Sequence, residues 1–169
     1  MSEQTLSRQR ERIHPPMGLF PAMLALGAGG LCIGTGEFAP MSLLPDLAQG
    51  TGVSIPAAGG YISAYAAGVV VGAPAIAVLG ARQARKTLLL ILLIIALAGY
   101  ALSALATGYN AMLAARFISG MPHGAWYGVS ALVAASMVSP QHKARYIGYV
   151  MLGLAVANVA GVPLVTWAG

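Results

Sequence analysis

The chain alternates long apolar stretches with short polar breaks. Residues 15–36 carry no charge before Glu37, and residues 57–79 and 87–108 carry none at all. At 1.5 Å per residue, a stretch of about 22 residues reaches about 33 Å, enough to cross the hydrocarbon core of a bilayer. A fourth stretch, 117–138, extends back to about residue 111 with Arg116 inside it, and a fifth runs over 146–168. Backbone amides in lipid must be bonded within their own segment, so each stretch predicts a helix. A β-barrel needs alternating polarity, which the run Leu88 to Leu97 lacks. The pattern therefore predicts an all-α integral membrane protein of about five spans, at 15–38, 57–79, 87–108, 111–138 and 146–168. A polar tail, 1–14, precedes them.

The breaks differ in kind. Residues 40–56 are mildly polar, hold Pro45 and Pro56, and read as a loop in which Asp46 is solvated. Residues 80–86, GARQARK, and 139–145, SPQHKAR, are short and basic, whereas 108–110, GYN, is an uncharged tight turn. Lys and Arg gather on the cytoplasmic side of membrane proteins. Arg8, Arg10 and Arg12 precede span one; Arg82, Arg85 and Lys86 follow span two; Lys143 and Arg145 follow span four. Threading five spans puts these eight of the nine basic residues on one face. The N-terminus is then cytoplasmic and the C-terminus periplasmic. The apolar stretch after the tail is of helix length and more spans follow, so it reads as a retained span and not a cleaved leader.

Composition sharpens this. Hydrophobic residues make up 58% of the chain and charged ones 8%, too few to coat a soluble domain of 169 residues. The net charge of +5 is placed at span ends and forms no stripe with aromatic platforms, which argues against nucleic acid. The single cysteine, Cys32, permits no intrachain disulfide.

Polar groups inside spans are costly, and they usually face a bundle interior or a watery cavity. Glu37 and Arg116 are expected at similar depth in the outer third, where they could pair, line a vestibule or snorkel to the interface. His123 and Asn158 are expected near the midplane. An imidazole there can carry a proton or bind a solute oxygen, or simply bridge helices. Asn158 reads first as a bond between helices. Gly120, Gly124 and Gly128 recur at intervals of four and predict a groove for a neighbouring helix, as do Gly68 and Gly72 in span two and Gly148, Gly153 and Gly161 in span five. Pro21, Pro74, Pro122 and Pro163 are expected to bend their helices. Span three, nearly all Leu, Ile and Ala, reads as lipid-facing scaffold. Trp126, Tyr127 and Tyr61 read as bundle packing or, less simply, as contacts for a ring-shaped solute. No catalytic constellation, metal cluster, cofactor motif or phosphate-cradling loop is present, so an enzyme is not expected.

Four segments carry a family resemblance: GTGEFAPMSLLPDLA at 34–48, GVVVGAPAIAVLGARQARK at 68–86, RFISGMPHGAWYG at 116–128 and GLAVANVAGVPLVTWAG at 153–169. In this order the chain resembles the N-terminal part of a major facilitator superfamily transporter. The likeness is to the drug-and-sugar-efflux branch of bacterial proton antiporters, which includes arabinose-efflux and chloramphenicol-resistance permeases. The resemblance implies a truncated N-terminal half of a twelve-helix bundle built from inverted three-helix repeats. It implies proton-coupled export of a small organic solute, sugar or drug, by alternating access in the bacterial inner membrane. It also implies that the missing helices or a partner chain complete the cavity; the rival expectation is a fragment or subunit that only packs with others. By the same resemblance Arg116 would be the span-four arginine tied to proton coupling, and Glu37 an acid near the outer mouth. Gly72, Arg82, Arg85 and Lys86 would form the gating loop, and Gly153, Gly161 and Pro163 the antiporter-like motif. The gating loop departs from the pattern: Ala81 replaces the usual acid and Ala84 the usual glycine.

Overall fold

A computed structural model describes residues 18–168. The expected tail 1–14, with its three arginines, and the first residues of span one lie outside the described residues. The first helix, α1, runs Leu19–Ser42. Pro21 falls in its first turn, where an N–H has no helical partner to lose, so it does not bend the helix as expected. The helix also passes through Pro40 and ends at Ser42, beyond the predicted end at 38.

The predicted loop 40–56 is largely helical. It contains the end of α1 and a short helix, α2, at Leu44–Thr51, which has Pro45 in its first turn and is stopped by Gly52. Gly52 has φ +68°, the left-handed conformation that favours glycine at a helix end. Asp46 is exposed as expected, but on the first turn of α2. The long helix α3, Ile55–Leu79, is opened by Ser54, whose hydroxyl oxygen accepts from the Ala57 amide at 3.4 Å. The hydroxyls of Tyr61 and Thr51 meet at 2.7 Å, and the Tyr61 ring lies 5.4 Å from that of Tyr109. This ties α2 under the ends of its neighbours. Tyr61 thus packs and bonds within the protein.

Helix α4 spans Arg85–Leu105, and α5 spans Tyr109–Ser136. In α4, Leu89, Leu92, Ala96 and Gly99 form the buried stripe, while Leu90, Ile94, Leu97 and Leu105 point outward. One face packs on α5 and the rest is free for lipid. A single turn of 3-10 helix, Pro140–His142, leads into α6, Lys143–Val156. A π-helical turn, Ala157–Gly161, joins α6 to α7, Val162–Ala168. Pro163 explains that turn: its ring cannot donate to Val159 and would clash with that carbonyl, so the helix opens by one residue just before it.

Helices α1, α3, α4 and the Pro140–Ala168 segment are long and apolar enough to cross a membrane. The longest helix, the 28-residue α5, is less apolar because it carries Arg116, His123, three serines and three glycines, yet it packs between α3 and α4. The fold is an all-α bundle of five long helical segments. Its broadest contact joins α3 to α5, and α1 packs along α6, the π turn and α7. Thr166 Oγ1 donates to Ser42 Oγ at 2.7 Å and pins the far ends of α7 and α1 together.

Glycines set the helix spacing. A methyl at Gly68 would strike the Phe117 carbonyl, one at Gly72 the backbone of Met121, and one at Gly120 the Tyr65 carbonyl. Gly124 is tight against Ala73 at 3.0 Å. Gly128 departs from the expected groove: nothing lies within 4 Å of a Cβ placed there, and the same is true of Gly148. Gly153 abuts the Gly27 carbonyl, and Gly161 abuts Thr35. The repeat of four is therefore used over two turns of α5 and then runs out, because α3 and α5 diverge toward the 80–84 turn.

Candidate functional site

The site forms where α1, α3, α4 and α5 approach one another. It begins with Pro40. Proline has no N–H, so the carbonyl four residues earlier, that of Gly36, loses its helical donor. Arg116 Nη1 supplies it, donating to Gly36 O at 2.8 Å. Gly36 also lacks a Cβ where the Tyr100 ring sits, which lets α4 close on α1. The Tyr100 hydroxyl donates to Ile33 O at 3.2 Å, and the Tyr127 hydroxyl to Gly30 O at 2.8 Å. Three side chains from α4 and α5 thus hold α1 by its carbonyls.

Arg116 is 2% exposed, and its guanidinium carbon lies 4.5 Å from the centre of the Tyr65 ring, a cation–π geometry. Its Nε and Nη2 are buried without a hydrogen-bond partner among the described residues. Of the alternatives open for Glu37 and Arg116, a direct pair is not what forms. Glu37 Oε2 lies 3.5 Å from His123 Nδ1, and Arg116 takes the carbonyl of the residue before Glu37. The reason is register: Glu37 meets α5 at the level of His123, about two turns from Arg116. His123 Nδ1 is also 3.1 Å from the Tyr65 hydroxyl, and its ring lies 5.1 Å from that of Tyr127.

Asn158 does not bridge helices. It is exposed, and its Nδ2 donates to Leu154 O one turn earlier in its own helix at 3.3 Å. At the other end of the bundle, Arg85 Nη1 donates to Leu132 O at 3.3 Å, tying the 80–84 turn to the end of α5, while Arg82 and Lys86 are exposed. Trp126 packs its ring against Gly29. Tyr65 and Tyr100, the two tyrosines that organise the cluster, are not among the site residues expected from sequence. The spacing Tyr61, Tyr65, Gly68, Gly72 was the available signal, since all four lie on one buried stripe of α3.

A carboxylate, an imidazole and a guanidinium, held among three tyrosines inside apolar helices, can bind and release protons and hydrogen-bond a polar solute. They form no metal cage: among the described residues no group of three or more His, Cys, Asp or Glu could hold an ion. This is the architecture of a polytopic membrane bundle with a polar site between its helices. The Major Facilitator Superfamily model matches residues 26–169, and the chain belongs to that family.

The chain is 46% identical to the inner membrane transport protein YdhP of Escherichia coli over 147 residues, 87% of this chain and 38% of that protein. It is 40% identical to the MFS-type transporter YtbD of Bacillus subtilis over 149 residues, 88% of this chain and 38% of that one. A chloramphenicol resistance protein of Streptomyces lividans is 34% identical over 154 residues, 88% of this chain and 39% of the relative. The chain therefore spans about two fifths of the length of these relatives.

Proposed function

We propose that the chain forms part of a proton-coupled exporter of a small organic solute, a sugar or a drug, working by alternating access. On this reading it lies in the bacterial inner membrane with the 80–84 and 137–142 turns on the cytoplasmic face. The observation that carries the reading is the cluster of Glu37, His123 and Arg116 inside apolar helices, where ionisable groups are costly and mark ion or solute pathways. The relatives support it: one is named a transport protein and another a chloramphenicol resistance protein. Glu37, His123 and Arg116 form the proton and solute pathway, while Asn158, exposed on α6's continuation, faces outward for a further helix or solute. Arg82, Arg85, Lys86 and Gly72 act in gating, and Gly153, Gly161 and Pro163 shape the bend in the last segment. The cavity is completed by further helices or a partner chain.

The test is solute flux in inverted vesicles containing this chain, with and without a proton gradient. Gradient-dependent flux that Arg116→Ala abolishes supports the proposal. The second reading is a non-transporting chain that only packs with a partner. Flux no greater than in empty vesicles selects it.

A further inference from the structure

One atom in the cluster has two competing partners. Nδ1 of His123 lies 3.1 Å from the Tyr65 hydroxyl and 3.5 Å from Glu37 Oε2. An imidazole nitrogen either bears a hydrogen and donates or bears a lone pair and accepts. With a lone pair, Nδ1 accepts the Tyr65 O–H and presents nothing favourable to the carboxylate. With a hydrogen, it donates to the carboxylate, and Tyr65 must turn its own hydrogen elsewhere. We propose that His123 is a proton-binding residue, and that a proton arriving on Nδ1 moves the tie made by α5 from Tyr65 on α3 to Glu37 on α1. This rests on the proton-coupled reading above and narrows it to one atom.

The surroundings fit a two-position tie. Among the described residues of α1, Glu37 is the titratable group beside His123, and Cys32 lies more than a turn earlier. From α3 it is Tyr65, and from α4 the nearest is Tyr100, already donating to Ile33 O. On α5 itself, Tyr127 lies against the imidazole but donates to Gly30 O, and Arg116 lies two turns away and donates to Gly36 O. The titratable groups of α6, Lys143, Arg145, Tyr146 and Tyr149, all lie in its first two turns, at the opposite end of the bundle.

Tyr65 is also held in place. Arg116 covers its ring, and Gly120 seats its backbone. Its hydroxyl is thus a fixed post that His123 can leave and return to. The side chains of His123 and Glu37 are 14% and 23% exposed, whereas Arg116 is 2% exposed, so water can deliver a proton to the pair but not to the guanidinium. The step balances: hydronium gives its proton to Nδ1, leaving water, and the imidazolium formed is neutralised by the Glu37 carboxylate. Tyr65 acts as a positioning residue, since it sets the tie without taking the proton.

The test is a nitrogen NMR titration of the full chain in nanodiscs with ring-labelled histidine. The chain has only three histidines, His14, His123 and His142, so His14→Gln and His142→Gln assign the spectrum. We expect Nδ1 of His123 to pass from acceptor to protonated as the pH is lowered. Glu37→Gln should weaken its proton binding about tenfold or more, because an opposite charge this close favours the charged form. Tyr65→Phe should strengthen it by removing the bond that holds the lone-pair form. A His123 signal that does not titrate, or whose midpoint neither variant moves, overturns the proposal, and should one variant fail to fold the other decides. The reading is independent of flux. Titration as expected without flux removes transport by this chain and leaves the proton site standing; gradient-driven flux with a silent His123 does the reverse.

Discussion

Replacing Gly120 by Ala places one methyl group at the closest approach of α3 and α5. The new Cβ would overlap the Tyr65 carbonyl oxygen and stand 3.0 Å from its carbonyl carbon and 3.2 Å from its Cα. Carbon contacts are comfortable at about 3.5–4.0 Å, so the helices must part by roughly 1 Å. Overpacking of this kind costs about 1–3 kcal/mol. Alanine returns about 0.5–1 kcal/mol through its better helix propensity, leaving a net loss of about 1 kcal/mol at mid-range and up to about 2.5 kcal/mol, with the mid-range value worth roughly fivefold in the unfolded ratio. Gly128→Ala, two turns along the same face, meets nothing within 4 Å and should be neutral or slightly stabilising. Denaturing-detergent titration of both variants in mixed micelles, followed by circular dichroism, measures the difference. The reasoning fails if the two variants lose equal stability, or if Gly120→Ala loses none.

Three further outcomes follow from the same geometry. Tyr61→Phe removes the hydroxyl that meets Thr51 Oγ1 at 2.7 Å, and should cost about 0.5–1.5 kcal/mol, felt as faster amide exchange over α2; unchanged exchange at 44–52 would refute that tie. Gly29→Ala drives a methyl into the Trp126 ring. In a Trp167→Phe background the fluorescence of Trp126 should then shift and stability should fall by about 1–3 kcal/mol, and an unaltered spectrum would count against the packing. With Cys32 replaced by Ser, cysteines at Gln83 and Gln141 should be labelled from the face opposite a cysteine at Thr107, and labelling of all three from one face would break the proposed threading.

The long helices were legible because hydrophobic length is the dominant signal in a bilayer, and it does not depend on partners. Their ends were less so. Glu37 looks like a stop, since a charge ends a charge-free run, yet α1 continues because His123 sits opposite that carboxylate and Arg116 takes the carbonyl that Pro40 frees. Helix α2 looks like a loop in sequence because eight residues give little periodicity, and its stability comes from Ala48 packed under Ala58, Tyr61 and Met112. The polar members of the site were named from sequence, since any ionisable residue in a span stands out. Their pairing was not, because which acid meets which base depends on helix rotation and register. Tyr65 and Tyr100 escaped notice for a different reason: an aromatic in an apolar run looks like filler until its hydroxyl is seen to have a partner.

The seating of α1 and the seating of the site are the same construction. A helix that must accept Arg116 needs a free carbonyl, and Pro40 frees one at Gly36. The same residue must be glycine, since Tyr100 fills the place of its side chain on the way to the Ile33 carbonyl. On the opposite side of Arg116, Gly120 brings the Tyr65 backbone against α5, so that the Tyr65 ring can lie on the guanidinium while its hydroxyl reaches His123. Each small or kinking residue removes an obstacle for one polar contact. Arg116 still keeps Nε and Nη2 without partners among the described residues, a costly arrangement for a buried guanidinium unless something else completes it. A rearrangement that brings an acceptor to those two donors would be favoured by that unmet demand. Glu37, one residue beyond the carbonyl Arg116 already holds, is the nearest acid able to answer it whenever His123 gives the carboxylate up.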